Sequence, residues 1–305
     1  MNPSAPLRWL LLLALALFSH LARPARQDVT FILASDNPGH QFFAAARDYY
    51  ATRPALAGTL VTSARSLAEV REFLLRSPLR GNAPWGRVRL VAHGSQWQGL
   101  RVPVFAEGAL ATAETLDTAL VRQEFPPLPA ELLDRDSVLR VESCGLGRRP
   151  AFLRQLGRLF SAGGRLRVEA NEGYVWFRQV QRDDGHSDSV REELPYRAQV
   201  VAGAAELDDG LRERLRRQWQ GELSAPLAFV AVPLRIDVPL PLHGEAGWRQ
   251  LPQPPEALAA LRNYGLRWSQ LRWQVHDGRL QGLALIVVAA ADAAALDRQQ
   301  LGLSL

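Results

Sequence analysis

The chain has 305 residues, 47% hydrophobic and 22% charged, a globular balance with enough apolar material for a sizeable core, which excludes a disordered chain. Its formal charge of +5 rests on arginine alone, and the arginines are interspersed with acids rather than clustered, so no nucleic-acid partner is expected. The single cysteine, Cys144, excludes an internal disulfide and leaves a thiol that is buried and inert, paired between chains, or used for chemistry.

The N-terminus reads as a targeting segment. Arg8 precedes an apolar run from Trp9 to Phe18, then Ser19-His20-Leu21-Ala22, the positive, apolar, small order of a secretory signal. The run is short for a bilayer span, and His20 stands where signal cleavage prefers a small residue. Residues 1–25 are therefore either a cleaved signal or a retained anchor, and the rest is expected outside the cytoplasm, periplasmic or secreted. Membrane contact is expected only through this segment.

From Val29 onward, apolar strand runs alternate with amphipathic helical runs. Val29 to Ala34 is a first strand, ended by Ser35-Asp36-Asn37-Pro38-Gly39; helical spacing follows at Phe42, Phe43, Ala46 and Tyr50. Gly58 to Thr62 is a second strand. Ser66 with Glu69 three residues on marks a helix start, with Leu67, Val70, Phe73 and Leu74 as its buried stripe. Val88 to Ala92 is a third strand, ended by His93-Gly94. A hairpin around Leu100 to Leu110 leads to a helix over Ala113 to Val121, capped by Thr112. Ser137 to Val141 is a fourth strand, ending at Glu142-Ser143-Cys144-Gly145. Pro150 opens a helix through Phe160, and Leu166 to Ala170 is a fifth strand. This alternation predicts a mostly parallel sheet with helices on both faces.

The pattern then changes. Tyr174 to Val180 and Ser189 to Leu194 predict a hairpin across Asp183-Asp184-Gly185, and Glu206 to Gln220 an amphipathic helix. Leu227 to Val232 is expected as a sixth sheet strand, and Pro239 to Pro255 as a linker or irregular loop. The tail predicts a helix near Pro255 to Leu261, then a hairpin of Leu271 to Val275 against Leu283 to Val288 turned at Asp277-Gly278. The expected division is an α/β domain over 27–237 and a small C-terminal α+β extension over 238–305.

Ligands of parallel α/β sheets bind beyond the carboxyl ends of the strands. His93 and Cys144 both fall there, on neighbouring strands that would lie about 5 Å apart. A thiolate attacks carbonyl carbon, and a nearby imidazole activates the thiol and protonates the leaving amine. Gly94 and Gly145 leave the backbone open to close approach, and the N–H groups of Gly94 and Cys144 are the candidate oxyanion donors. The chemistry needs neither metal nor organic cofactor, and the six histidines lack ligand-like spacing.

A strand ending in His93-Gly94, about fifty residues, then a strand ending in Cys144-Gly145 resembles the caspase-like cysteine peptidases. The stretch from Val88 to Gly147 is most similar to the clostripain-like and CHAT branches, including Glu107 to Leu116 between the two motifs. The resemblance spans about Val29 to Glu172. It implies a three-layer α/β sandwich and a peptidase acting on a peptide or protein substrate, with His93 as catalytic histidine and Cys144 as nucleophile. By likeness to the clostripain-like enzymes, Glu142 and Glu172, and Asp36 at the end of the first strand, either receive an arginine or lysine side chain before the scissile bond or are solvent-facing acids. The sequence departs from the family in carrying glutamates where aspartates are usual, and in having Glu-Ser-Cys where caspases have Gln-Ala-Cys. The alternative expectation is a caspase-like module without catalysis that binds a partner at the cell envelope.

Overall fold

The computed structural model describes residues 25–36, 40–163, 165–203, 208–220, 223, 228–240, 253–264 and 266–290. The N-terminal targeting segment and most of the proline-rich stretch after Pro239 lie outside the described residues. Among those described, no helix is long and apolar enough to cross a membrane.

The first part of the chain runs β1 (Val29–Ile32), α1 (Phe42–Ala51), α2 (Pro54–Ala57), β2 (Thr59–Val61), α3 (Leu67–Arg76) and β3 (Arg87–Val91). A three-stranded antiparallel sheet follows, built from β4 (Gly94–Ser95), β5 (Gly99–Pro103) and β6 (Leu110–Ala111). Next come α4 (Ala113–Val121), β7 (Val138–Glu142), α5 (Pro150–Phe160) and β8 (Arg167–Ala170). The central sheet has the order β2-β1-β3-β7-β8, and all four of its pairings are parallel. Strand order reverses at β1, which opens a crevice between the carboxyl ends of β1 and β3.

Local chemistry fixes the helix starts. The Ser66 hydroxyl accepts the Glu69 N–H at 3.2 Å at the head of α3. Thr112 and Thr115 exchange side-chain and backbone hydrogen bonds of 2.9 and 3.1 Å at the head of α4. Pro150 stands in the first turn of α5, where its missing N–H costs nothing.

The period-2 alternation of the strands sorts side chains between two cores. Val29, Phe31, Val88, Leu90, Leu139 and Val141 face α3, α4 and α5 in one continuous cluster. Ile32 and Val91 face the other way, toward Phe42, Phe43, Ala46 and Tyr50 of α1. Helices therefore cover both faces of the sheet, as the sequence pattern implies.

The second half covers the α1 face. β9 (Tyr174–Gln181) and β10 (Ser187–Leu194) form a two-stranded antiparallel ribbon turned at Asp183-Asp184-Gly185. It lies along α1, with Phe177 packed against Phe42, Tyr49 and Tyr50 and the Gln179 amide donating to Asp48 at 2.9 Å. β11 (Tyr196–Val201), α6 (Asp209–Trp219), β12 (Ala228–Pro239), α7 (Pro255–Tyr264), β13 (Arg272–His276) and β14 (Arg279–Ala290) complete the chain. β14 is central in an antiparallel sheet, with β12 on one side and β11 and β13 on the other. One face of that sheet, with Leu234, Ile236, Ala284, Ile286 and Val288, shares the α1 core; Val287 on the other face packs against Leu211, Leu215 and Trp219 of α6.

Two findings correct the sequence reading. The apolar run expected as a sixth strand of the main sheet belongs to β12, which pairs antiparallel with β14 in a separate sheet. Alternation identifies a strand but not its partner, and the long β14, buried at Ile286, Val287 and Val288, takes β12. The Tyr196–Val201 strand has no counterpart in the sequence reading.

Candidate functional site

β3 and β7 bring the two motifs side by side. Their register matches Arg89 with Arg140 and Val91 with Glu142, and the Ala92 N–H still donates to the Glu142 carbonyl at 3.2 Å beyond the strand ends. His93 and Cys144 are each two residues further on, at matching positions of adjacent parallel strands. Both side chains lie on the α1 face: the His93 ring is held between Phe42 and Phe43, at centroid distances of 4.6 and 4.5 Å, and Cys144 belongs to the core that contains Phe42, Tyr174 and Val175.

Asp36 sets that clamp. Its two carboxylate oxygens accept the N–H groups of Phe43 and Ala44 at 2.8 and 2.7 Å, fixing the first turn of α1 over the β1–β3 crevice. Burial between the two phenylalanines, reinforced by the positive charges of Arg101 and His40, pushes the His93 imidazole down to about 3. The ring is neutral at neutral pH, and its Nδ1 is buried with no hydrogen-bond partner among the described residues.

The thiol is closed off. Cys144 is 1% exposed, and its sulfur donates to the Val175 carbonyl at 3.7 Å. Gly145 adopts a left-handed conformation with φ of +67°, and its N–H donates to the Gly173 carbonyl at 2.9 Å. A Cβ there would overlap the Tyr196 phenol oxygen, so glycine is required by both backbone and contact. At Gly94, a Cβ would stand 2.5 Å from both the Gly99 carbonyl and the Ser143 hydroxyl. The Arg101 N–H donates to the His93 carbonyl at 2.9 Å, which makes His93 and Arg101 a hydrogen-bonded pair. Antiparallel pairs alternate, so the Gly94 N–H points away from β5.

Of the acids singled out from sequence, Glu142 is 5% exposed and fully engaged. It accepts from Arg191 Nε and Nη2 at 3.0 and 2.7 Å, from Arg140 Nε at 3.2 Å and from Asn171 Nδ2 at 2.9 Å. Burial pushes its pKa up, but the charges of Arg191 and Arg140 and the Asn171 hydrogen bond outweigh this and hold it below the usual carboxylate range. Glu172 is exposed, and Asp36 is spent on α1. Trp85 is fully buried, its indole donating to the Leu74 carbonyl at 3.0 Å, and Trp97 is nearly so. Among the described residues, no three His, Cys, Asp or Glu side chains form a group able to hold a metal ion.

The residues that close the site are ones the sequence did not reveal: Arg191 on β10, Val175 on β9 and Tyr196 on β11. Each reaches the motifs from a segment 30 or more residues away in sequence. Their one trace in the sequence is Gly145, which announces the close approach of Tyr196 without naming it.

No family model, curated protein or solved structure matches this chain.

Proposed function

We propose that this chain is a cysteine-dependent hydrolase held in a closed state, with Cys144 as nucleophile and His93 as its proton carrier. The observation that carries the reading is the placement of both side chains on one sheet face, at matched positions beyond adjacent strand ends. In the reaction, His93 takes the thiol proton while the sulfur bonds to a carbonyl carbon. The oxyanion meets the Gly94 N–H and that of Cys144. Collapse breaks the bond to the leaving amine, which receives the proton from His93, and leaves an acyl thioester. Water then attacks the thioester and gives a proton to His93; the carbon–sulfur bond breaks, and His93 returns that proton to the sulfur, releasing the acid and the free thiol.

In the closed state neither partner is ready. An imidazole held near 3 is too weak a base for a thiol, whose unperturbed pKa is about 8.5, and the sulfur is covered. Release of His93 from the Phe42–Phe43 clamp would return it toward its ordinary value. A cationic substrate side chain bound at Glu142 would have to displace Arg191. An extracytoplasmic setting rests on the N-terminal segment.

A second reading is a non-catalytic module that binds a partner at the cell envelope. The 1% exposure of Cys144 favours it. The two separate on hydrolysis of a fluorogenic peptide library by the wild-type chain and by Cys144→Ala. Turnover abolished by the substitution supports the hydrolase; turnover equal in both, or absent in both even when Tyr196→Ala opens the site, supports the module.

A further inference from the structure

Tyr196 is completely buried at the first position of β11, yet its contacts bridge the two motif loops rather than its own sheet. Its phenol oxygen abuts Gly145 Cα on one side and lies 3.4 Å from Gln96 Oε1 on the other. The ring meets Trp97 edge-on at 6.5 Å. The Arg148 guanidinium lies over its face at 4.3 Å and donates to the Tyr196 backbone carbonyl at 2.9 Å. Gln96 and Trp97 follow His93; Gly145 and Arg148 follow Cys144. One aromatic side chain from a distant strand thus fills the space between the two loops that a substrate would have to enter.

The pocket is built for such a ring. Glycine supplies a flat floor, an arginine supplies a cation over the π face, Trp97 supplies an aromatic wall, and the Gln96 amide reaches the phenol oxygen. It is also next to an outlet. Gln96 and Trp97 line a surface cleft with Leu146, Arg149 and Phe152, so the pocket's outer wall is shared with open solvent.

The anchor of the plug lies five residues upstream. Arg191 on β10 binds Glu142, two residues before the thiol, and only Pro195 separates β10 from β11. The β9–β10 ribbon pairs with no other strand among the described residues, and a lone two-stranded ribbon has little stability of its own. Beyond that ion pair it is held by the buried Tyr174, Val175 and Phe177, by the Gln179–Asp48 hydrogen bond and by the Arg53–Asp188 ion pair, and Tyr196 itself pairs with Ala290 of β14, so the plug leaves only when the start of β11 parts from β14 while the parallel sheet stays folded.

We propose that Tyr196 is an intramolecular plug over Cys144, and that the pocket it fills is a subsite for an aromatic side chain of a substrate or partner. This extends the hydrolase reading by naming what the site would accept. Its test does not depend on catalysis.

The experiment follows iodoacetamide alkylation of Cys144 in the full chain, under native conditions, in wild type and Tyr196→Ala, with and without p-cresol. The plug predicts alkylation faster by about tenfold or more in Tyr196→Ala. It also predicts that p-cresol slows alkylation of the variant back toward the wild-type rate and raises its unfolding midpoint. A folded Tyr196→Ala chain that alkylates at the wild-type rate, or one indifferent to p-cresol, overturns the proposal. If Tyr196→Ala does not fold, Tyr196→Val keeps a β-branched strand residue at the start of β11 but no longer reaches Gly145 or Gln96. Faster alkylation of that folded variant supports the plug, and an unchanged rate refutes it. Cresol protection in a chain with no hydrolytic activity would keep the plug and remove the hydrolase.

Discussion

Lowering the pH from 7 to 4.5 should destabilise this protein through one imidazole. His93 is held to about 3 in the folded chain, against an ordinary value near 6.5 when unfolded. Between those values the unfolded chain binds a proton that the folded chain refuses, so stability rises with pH across the window and is lost as pH falls. From that difference the loss relative to pH 7 is about 1.3 kcal/mol at pH 5.5 and about 2.5 kcal/mol at pH 4.5. The physical source is the apolar clamp of Phe42 and Phe43, with Arg101 and His40 adding positive charge nearby. Urea unfolding at a series of pH values measures the slope. His93→Phe, which keeps a ring in the clamp but carries no proton site, should flatten the curve between pH 6.5 and 5. Identical slopes in wild type and His93→Phe would exclude His93 as the source, as would a His93 ring resonance titrating near 6.5.

Three further outcomes are expected. Arg191→Met leaves the buried Glu142 with incomplete pairing and should cost about 3–5 kcal/mol in chemical unfolding, whereas the double variant Glu142→Gln with Arg191→Met should recover most of that loss. Gly145→Ala meets both a left-handed backbone and the Tyr196 oxygen and should lose about 2–4 kcal/mol; adding Tyr196→Phe should return part of it by removing the atom struck, which thermal unfolding would show. Ser66→Ala removes the cap of α3 and should cost about 1 kcal/mol, with no change in the reactivity of Cys144.

The parallel sheet was legible because its strands carry apolar runs and α3 and α4 open on capping residues. Thr112 and Ser66 perform in the structure the roles their spacing implies. The Asp277-Gly278 turn holds both residues at positive φ, which explains how a short dipeptide signal located it, although β13 pairs with Arg279 to Leu283 and not with the expected Leu283 to Val288, most of which pairs with β11. The partner of β12 was not legible, because alternation gives a strand's faces and not its neighbours. β11 was missed for a related reason: Tyr196 to Val201 mixes Arg197 and Gln199 with apolar residues, and only pairing with β14 makes it a strand.

The site divides in the same way. The placement of His93 and Cys144 at strand ends follows from local pattern. The state of the acids does not: Glu142 is a buried anchor because Arg191 reaches it across 49 residues of chain, and Asp36 is a helix-capping acid because α1 begins where it does. Tyr196 carries no mark in the sequence, since its neighbours Gln96 and Gly145 are distant and their proximity exists only in the fold.

The most direct test of the hydrolase is to trap its covalent intermediate. Wild type and Tyr196→Ala are mixed with peptide thioesters, quenched in acid and analysed by mass spectrometry of the peptide that contains Cys144. Catalysis by Cys144 and His93 predicts an acyl adduct on Cys144, more abundant in Tyr196→Ala and missing when His93→Ala is added. A thiol that iodoacetamide reaches in Tyr196→Ala but that never carries an acyl group would contradict it.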